Sequence, residues 1–148
     1  HIWPKNWAWY KDTSMAGGMQ EVIQKTDEYI NKHERIAIGL QKPLVIEEFG
    51  MPRDGQSYSL NSTTASRDYY YKFILNCFYK SMFNKGPIAG INFWAFAGTA
   101  RPKPGQVFWK EGDDYMGDPP QEEQGLNAVF DTDQSTWELI RKYLLKIK

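Results

Sequence analysis

The sequence has few of the features that mark several common classes of protein. Its 148 residues include a single cysteine, Cys77, so no disulfide can form within the chain. The 18 basic and 18 acidic side chains balance, and no run of apolar residues approaches the roughly 20 that a membrane-spanning helix needs. We therefore predict neither a nucleic acid nor a membrane as a partner.

Motifs for cofactors and metals are also lacking. The chain has no glycine-rich phosphate loop, no paired cysteines and no Ser/His/Asp order typical of a hydrolytic triad. Residues 112–118, GDDYMGD, gather three carboxylates but lack the alternating spacing of an EF-hand calcium loop. We predict no cofactor and no metal.

Aromatic side chains are abundant instead, at 16% of the chain. Four tryptophans, Trp3, Trp7, Trp9 and Trp109, lie in segments with the composition of loops. A tryptophan in a loop either packs beneath that loop or offers its ring to a flat ligand or partner. Sugar rings present flat C–H faces, so carbohydrate is the first ligand class to consider.

Strand and helix patterns alternate along the chain. The predicted strands are the end of one at 1–3, then 43–48 and 88–96. The predicted helices are 19–34 (with its continuation through 36–40 left open), 64–84 and 133–148, the last capped by Ser135 with Glu138 at the capping-box position. Long loops cover 4–17, 50–63 and 97–126. This order predicts an α/β fold with parallel strands, forming one domain or part of one over residues 1–148.

The segment KPLVIEEFG, residues 42–50, ends a buried strand with two adjacent carboxylates. Strand alternation predicts Leu44, Ile46 and Glu48 on one face, toward a barrel interior, and Val45 and Glu47 on the other. In parallel α/β folds, ligands bind at the carboxyl ends of the strands. We therefore predict that Glu48 does the chemistry, while Glu47 faces the helices and pairs with a cation or backbone donors.

Four segments together resemble glycoside hydrolase family 5. KPLVIEEFG resembles its seventh-strand nucleophile motif, HIWPKNW its sixth-strand His-x-Tyr segment, and INFWAF its eighth strand. The stretch from WKEGDDYMGD to STWELI, residues 109–140, resembles the loop before the last helix in its endo-β-1,4-mannanases.

The resemblance implies the C-terminal three βα units of a (β/α)8 TIM barrel. It implies a retaining, double-displacement glycosidase in which Glu48 is the nucleophile, His1 is part of the catalytic constellation and Trp94 forms the floor under the reacting sugar. The acid/base glutamate of the family lies on an earlier strand, outside this chain. The chain alone is therefore expected to be inactive.

Further sugar contacts are predicted in the surrounding loops. Trp3 stands where the family generally has tyrosine, which puts the usual hydrogen bond to the nucleophile in question. Together with Trp3, the side chains of Trp7, Trp9, Trp109 and Tyr115 are candidates for substrate binding. Arg53 is a further candidate, with structural pairing as the alternative.

The predicted function is endo-acting hydrolysis of β-1,4-mannan, glucomannan or galactomannan. The alternatives are a β-1,4-glucanase of the same family and a non-catalytic carbohydrate-binding remnant. Unpaired strand edges predict a further partner, either the missing N-terminal barrel segment or another copy of the chain. Polymeric substrates predict an extracellular or periplasmic location.

Overall fold

The computed structural model describes the backbone of residues 1–10 and 15–146 and the side chains of residues 1–10 and 18–146. Its elements in chain order are α1 Met15–Leu40, β1 Leu44–Phe49, a 3₁₀ turn Asp54–Gln56, α2 Ala65–Phe83, β2 Ile88–Phe93, β3 Phe96–Gly98, β4 Val129–Phe130 and α3 Gln134–Leu144. No helix in this described part is long and apolar enough to cross a membrane.

The central sheet is parallel. β1 pairs with β2, and Ile2 forms a parallel bridge to Phe49 on the opposite edge of β1. The backbone N–H of Ile2 donates to the Glu48 carbonyl at 2.8 Å. The ends of three chain segments that run in the same direction therefore meet at one edge, where side chains from each can converge.

The three helices cover one face of this sheet. The main core cluster joins Ile46 and Phe49 of β1 with Val22 of α1 and Ile74 of α2. Val45, next to the buried Ile46, is 45% exposed. Burial of apolar area against the helices thus fixes which side of β1 faces inward.

Several predicted boundaries differ from the structure. Helix α1 begins four residues before the predicted start and continues through Leu40, although Ile36, Ile38 and Leu40 are exposed. The predicted strand 88–96 divides into β2 and the short β3, which pairs with β4, a strand that was not predicted. The last helix ends at Leu144, and residues 147–148 lie outside the described part.

The capping box predicted at Ser135 is wrong. Helix α3 begins after Asp133 without a side-chain capping bond. The Ser135 hydroxyl instead donates to Asp68 of α2 at 2.6 Å, because the two helices pack together there. The Ser135 hydroxyl therefore binds another helix instead of capping α3 as the local sequence pattern had predicted.

Candidate active site

A β-bulge separates the two neighbouring glutamates from the core. Ile46 pairs with Ile91 and Phe49 pairs with Phe93, so β1 has two residues where β2 has one. The extra residue shifts the alternation, and Ile46 and Phe49 are both buried, at 5% and 2% exposed. Glu47 and Glu48 are left between them, directed away from the core.

Because of this bulge, the faces predicted for the side chains of β1 are wrong. Ile46 does not face a barrel interior but packs in the core with the helices. Glu47 does not face the helices either, since its side chain is 69% exposed. Strict alternation could not predict this arrangement because an inserted residue reverses the pattern beyond it.

Glu48 is held by two side chains from the first segment of the chain. Its Oε2 atom lies 2.8 Å from Nδ1 of His1 and accepts a hydrogen bond from the Trp3 indole N–H at 3.1 Å. Its side chain is 25% exposed. No hydrogen bond to the other oxygen, Oε1, occurs within the described residues.

His1 lies between both carboxylates. Its Nε2 is 3.2 Å from Oε2 of Glu47, while its Nδ1 faces Glu48. The two nitrogens lie on different edges of the imidazole ring, so one ring can face both carboxylates at once. Glu47 therefore helps to orient His1 toward Glu48.

Gly50 makes room for the Trp3 ring. A Cβ at position 50 would lie 2.5 Å from Cζ3 of Trp3 and 2.9 Å from the Trp94 carbonyl oxygen. Only a residue without a side chain allows the backbone to pass this close. The glycine that ends KPLVIEEFG is therefore required for the hydrogen bond between Trp3 and Glu48.

Trp94 follows β2 and lies beside Trp3. The two ring centroids are 6.5 Å apart with planes at 77°, an edge-to-face contact. A cis peptide bond joins Trp94 to Ala95. The Trp94 indole N–H donates to Oδ1 of Asp118 at 2.9 Å. His1, Trp3, Glu48 and Trp94 thus form one continuous group of contacting side chains.

Trp7 and Trp9 belong to a different cluster. Their rings contact one another and Tyr29 of α1, with centroid separations from 4.8 to 6.3 Å. Within the described residues, neither ring forms an aromatic pair with Trp3 or Trp94. Packing on α1 is therefore the role that the structure shows for them.

The two candidates in the long loop, Trp109 and Tyr115, form their hydrogen bonds within the loop itself. Trp109 is half-buried and donates to the Asp113 carbonyl at 3.0 Å, which ties the loop to itself. Tyr115 is 56% exposed, and its hydroxyl lies 3.4 Å from the Gly117 carbonyl. Tyr115 retains an accessible ring, whereas Trp109 stabilises the loop.

Arg53 does not reach the surface, which corrects its prediction as a substrate contact. It is 1% exposed and pairs with the buried Asp133. Arg67 pairs with the other oxygen of the same carboxylate at 3.1 Å. Arg53 therefore forms a buried structural ion pair, which was the alternative prediction.

Asp118 is a site residue that the sequence did not identify. It is 6% exposed, and its position in an acidic, proline-rich loop is typical of a solvated turn. Only the fold brings its carboxylate to the indole N–H of Trp94. A buried aspartate opposite a strand-end tryptophan gives no periodic pattern by which it could be found.

Cys77, on α2, is not among the residues of this group. Burial and the charge of Asp27 raise the pKa of the Cys77 thiol to about 11, which makes it a poor nucleophile at neutral pH. No group of three or more His, Cys, Asp or Glu side chains placed to hold a metal occurs among the described residues.

The whole chain, residues 1–148, matches the family model described as GH family 5 β-mannosidase-like. A glycoside hydrolase family 5 mannosidase from Rhizomucor miehei is similar in structure, with a TM-score of 0.84 and 29% identity over 99% of this chain. A mutant of the Rhizomucor miehei family 5 mannosidase in complex with mannosyl-fructose gives a TM-score of 0.84 at 28% identity, also over 99% of this chain. The chain spans 37% of the length of each of these two structures.

An endo-β-1,4-mannanase from Thermotoga petrophila is more distant. Its TM-score is 0.56 at 24% identity, over 97% of this chain and 24% of that one, which shows likeness of fold alone. Comparison with curated proteins gave no match.

Proposed function

Because the chain belongs to the GH family 5 β-mannosidase-like family, we propose that it supplies the nucleophile, Glu48, of a retaining β-mannoside hydrolase. The observation that carries the proposal is the environment of this carboxylate. Glu48 is half-buried at the carboxyl end of a parallel sheet, and its Oε2 accepts a hydrogen bond from the Trp3 indole and lies 2.8 Å from Nδ1 of His1. These two contacts to one oxygen fix the direction of the carboxylate and leave its other oxygen free to point toward a substrate.

The proposed first step uses Oε1 of Glu48, which accepts no hydrogen bond within the described residues. Oε1 of Glu48 attacks the anomeric carbon, the bond to the leaving oxygen breaks, and that oxygen takes a proton from an acid residue. The acid then acts as a base, and water cleaves the resulting glycosyl ester. This mechanism needs a second carboxyl group as the acid, which we propose the rest of the barrel supplies, so we expect the 148-residue chain alone to be inactive.

The proposed architecture is the C-terminal three βα units of a (β/α)8 barrel. In support, the side of β1 away from the helices carries the exposed Val45. An apolar groove of about 340 Å³ next to β2 is lined by Ile91 and Phe93 together with Leu75 and Ile140 of the helices. The remaining barrel segment is the proposed occupant of these surfaces, with a second copy of the chain as the alternative.

Two modes of action are candidates. Endo-action on β-1,4-mannan, glucomannan or galactomannan rests on the resemblance of residues 109–140 to mannanase loops. Exo-action is favoured by the family description and by the Rhizomucor miehei mannosidases. The similarity to these mannosidases supports a mannoside as the substrate, rather than the β-glucan that a glucanase would cleave. An extracellular or periplasmic location remains a proposal that follows from polymeric substrates.

The products released from mannohexaose by the complete protein that contains this chain distinguish the two modes. An endo-enzyme gives mannotriose, or mannobiose with mannotetraose, as early products, whereas an exo-mannosidase gives mannose with mannopentaose. Replacement of Glu48 by Gln should reduce the rate by at least about 10³-fold, while Glu111→Gln, in an exposed loop, should not. Turnover that survives Glu48→Gln, or cleavage of cellohexaose in preference to mannohexaose, would overturn the proposal.

A further inference from the structure

We propose that Asp118 is a positioning residue that fixes the Trp94 indole in place beside Trp3 and Glu48. The catalytic consequence rests on the proposed function, whereas the structural part does not. Asp118 touches no atom of the proposed reaction itself, so any effect on turnover passes through the tryptophan ring.

The carboxylate of Asp118 is buried and bound by two N–H groups. Oδ1 accepts from the Trp94 indole at 2.9 Å, and Oδ2 accepts from the Gly125 backbone at 2.7 Å. No Lys, Arg or His forms an ion pair with it within the described part of the chain. Removing a carboxylate from water is costly, so these two charge-assisted bonds are what hold it there.

The loop around Asp118 is itself rigidly built. The buried side-chain amide of Gln124 donates to the carbonyls of Asp118, Pro119 and Glu122 at 2.8, 2.9 and 3.2 Å. Gly117 has a positive φ of 99°, and a Cβ there would lie 2.6 Å from Cβ of Ala95. The loop therefore packs directly on the residue after Trp94, and Asp118 is placed by groups on both sides.

The fixed ring in turn limits the movement of Trp3. Trp94 meets Trp3 edge to face, and Trp3 donates to the Glu48 carboxylate. Rotation of an unanchored Trp94 would open space beside Trp3 and loosen its hydrogen bond. Asp118 is thus connected to the proposed nucleophile through two tryptophans.

Indole N–H signals in an ¹⁵N–¹H spectrum of the complete protein that contains this chain test the structural part. The Trp94 signal is assigned by its loss in Trp94→Phe. In Asp118→Ala, which leaves the indole without its acceptor oxygen, we expect this one signal to shift upfield and exchange faster with water. Glu122→Ala removes a carboxylate from the same loop without this contact and should leave the signal unchanged. An unaltered Trp94 signal in Asp118→Ala would overturn the proposal.

Kinetics of the complete protein test the consequence. Asp118→Ala should lower kcat/KM on mannohexaose by about 10- to 100-fold, as misplacement of a site group does. In the Trp94→Phe background the same change should cost less than about threefold, because the two residues act as one unit. Equal losses in both backgrounds would refute action through the indole. An inactive wild-type protein would overturn the proposed function, while the indole signal would still decide whether Asp118 holds Trp94.

Discussion

At the scale of single residues, the adjacency of Glu47 and Glu48 has a geometric explanation. The bulge in β1 removes both side chains from the core, and His1 then lies between them. The two carboxylates are not equivalent, since Glu47 is largely exposed while Glu48 is half-buried and accepts a hydrogen bond from Trp3. One carboxylate is thus placed for chemistry and the other to orient the imidazole.

Gly50 is the residue whose replacement tests this packing. Gly50→Ala should destabilise the fold by about 1–3 kcal/mol, as other overpacked substitutions do, because the new methyl overlaps the Trp3 ring. Denaturant unfolding measures the loss. The matched control is Gly39→Ala in α1, where nothing lies within 4 Å of the new Cβ. That change should be neutral or stabilising by up to about 1 kcal/mol, and equal losses in both variants would refute the overlap.

At the scale of elements, Asp54 caps α2 from the preceding 3₁₀ turn. Its oxygens accept from the backbone N–H groups of Ala65 and Ser66 at 2.8 and 2.9 Å. Burial raises the Asp54 pKa, but hydrogen bonds from Thr63, Ser66 and Ala65 outweigh it and hold the pKa below its ordinary 3.8. The ionised form is therefore the one that stabilises the fold.

The pH dependence of Asp54→Ala follows from that lowered pKa. At pH 7 the variant should lose about 1 kcal/mol of unfolding free energy. This stabilisation is fully present above the unfolded pKa and is lost as pH falls through the lower folded pKa. The difference from wild type should therefore shrink progressively below about pH 4. Glu111→Ala removes an exposed carboxylate as a control, and a pH-independent difference for Asp54 would contradict the assignment.

Asp133 links the loop after β1 to two helices. Its buried carboxylate pairs with Arg53 of that loop and with Arg67 of α2, while its own position precedes α3. Asp133→Ala should cost about 3–5 kcal/mol, because two buried guanidinium groups lose their counter-ion. Asp131→Ala breaks the exposed pair with Arg101 and should cost less than about 1 kcal/mol. Chemical denaturation of both variants provides the comparison, and similar losses would argue against the buried pair as a link.

At the scale of the whole molecule, periodic patterns predicted the order of the main elements, while contacts between distant residues escaped them. The continuous apolar run 44–46 and the Glu48 strand end could be recognised because burial leaves a pattern along the chain. The bulge could not, since it depends on pairing with β2, and neither could Asp118, which meets Trp94 across 24 residues. Ser135 was misassigned because Asp68 of another helix binds its hydroxyl.

The central claim is that Glu48 forms the covalent bond to the sugar. The most direct measurement is mass spectrometry of the complete protein after reaction with 2-deoxy-2-fluoro-β-mannosyl fluoride, which slows release of the glycosyl ester. We predict a mass increase of one fluorosugar, located in the peptide that contains KPLVIEEFG and absent from Glu48→Gln. A label on a different carboxylate, or an active protein that takes no label, would contradict the account.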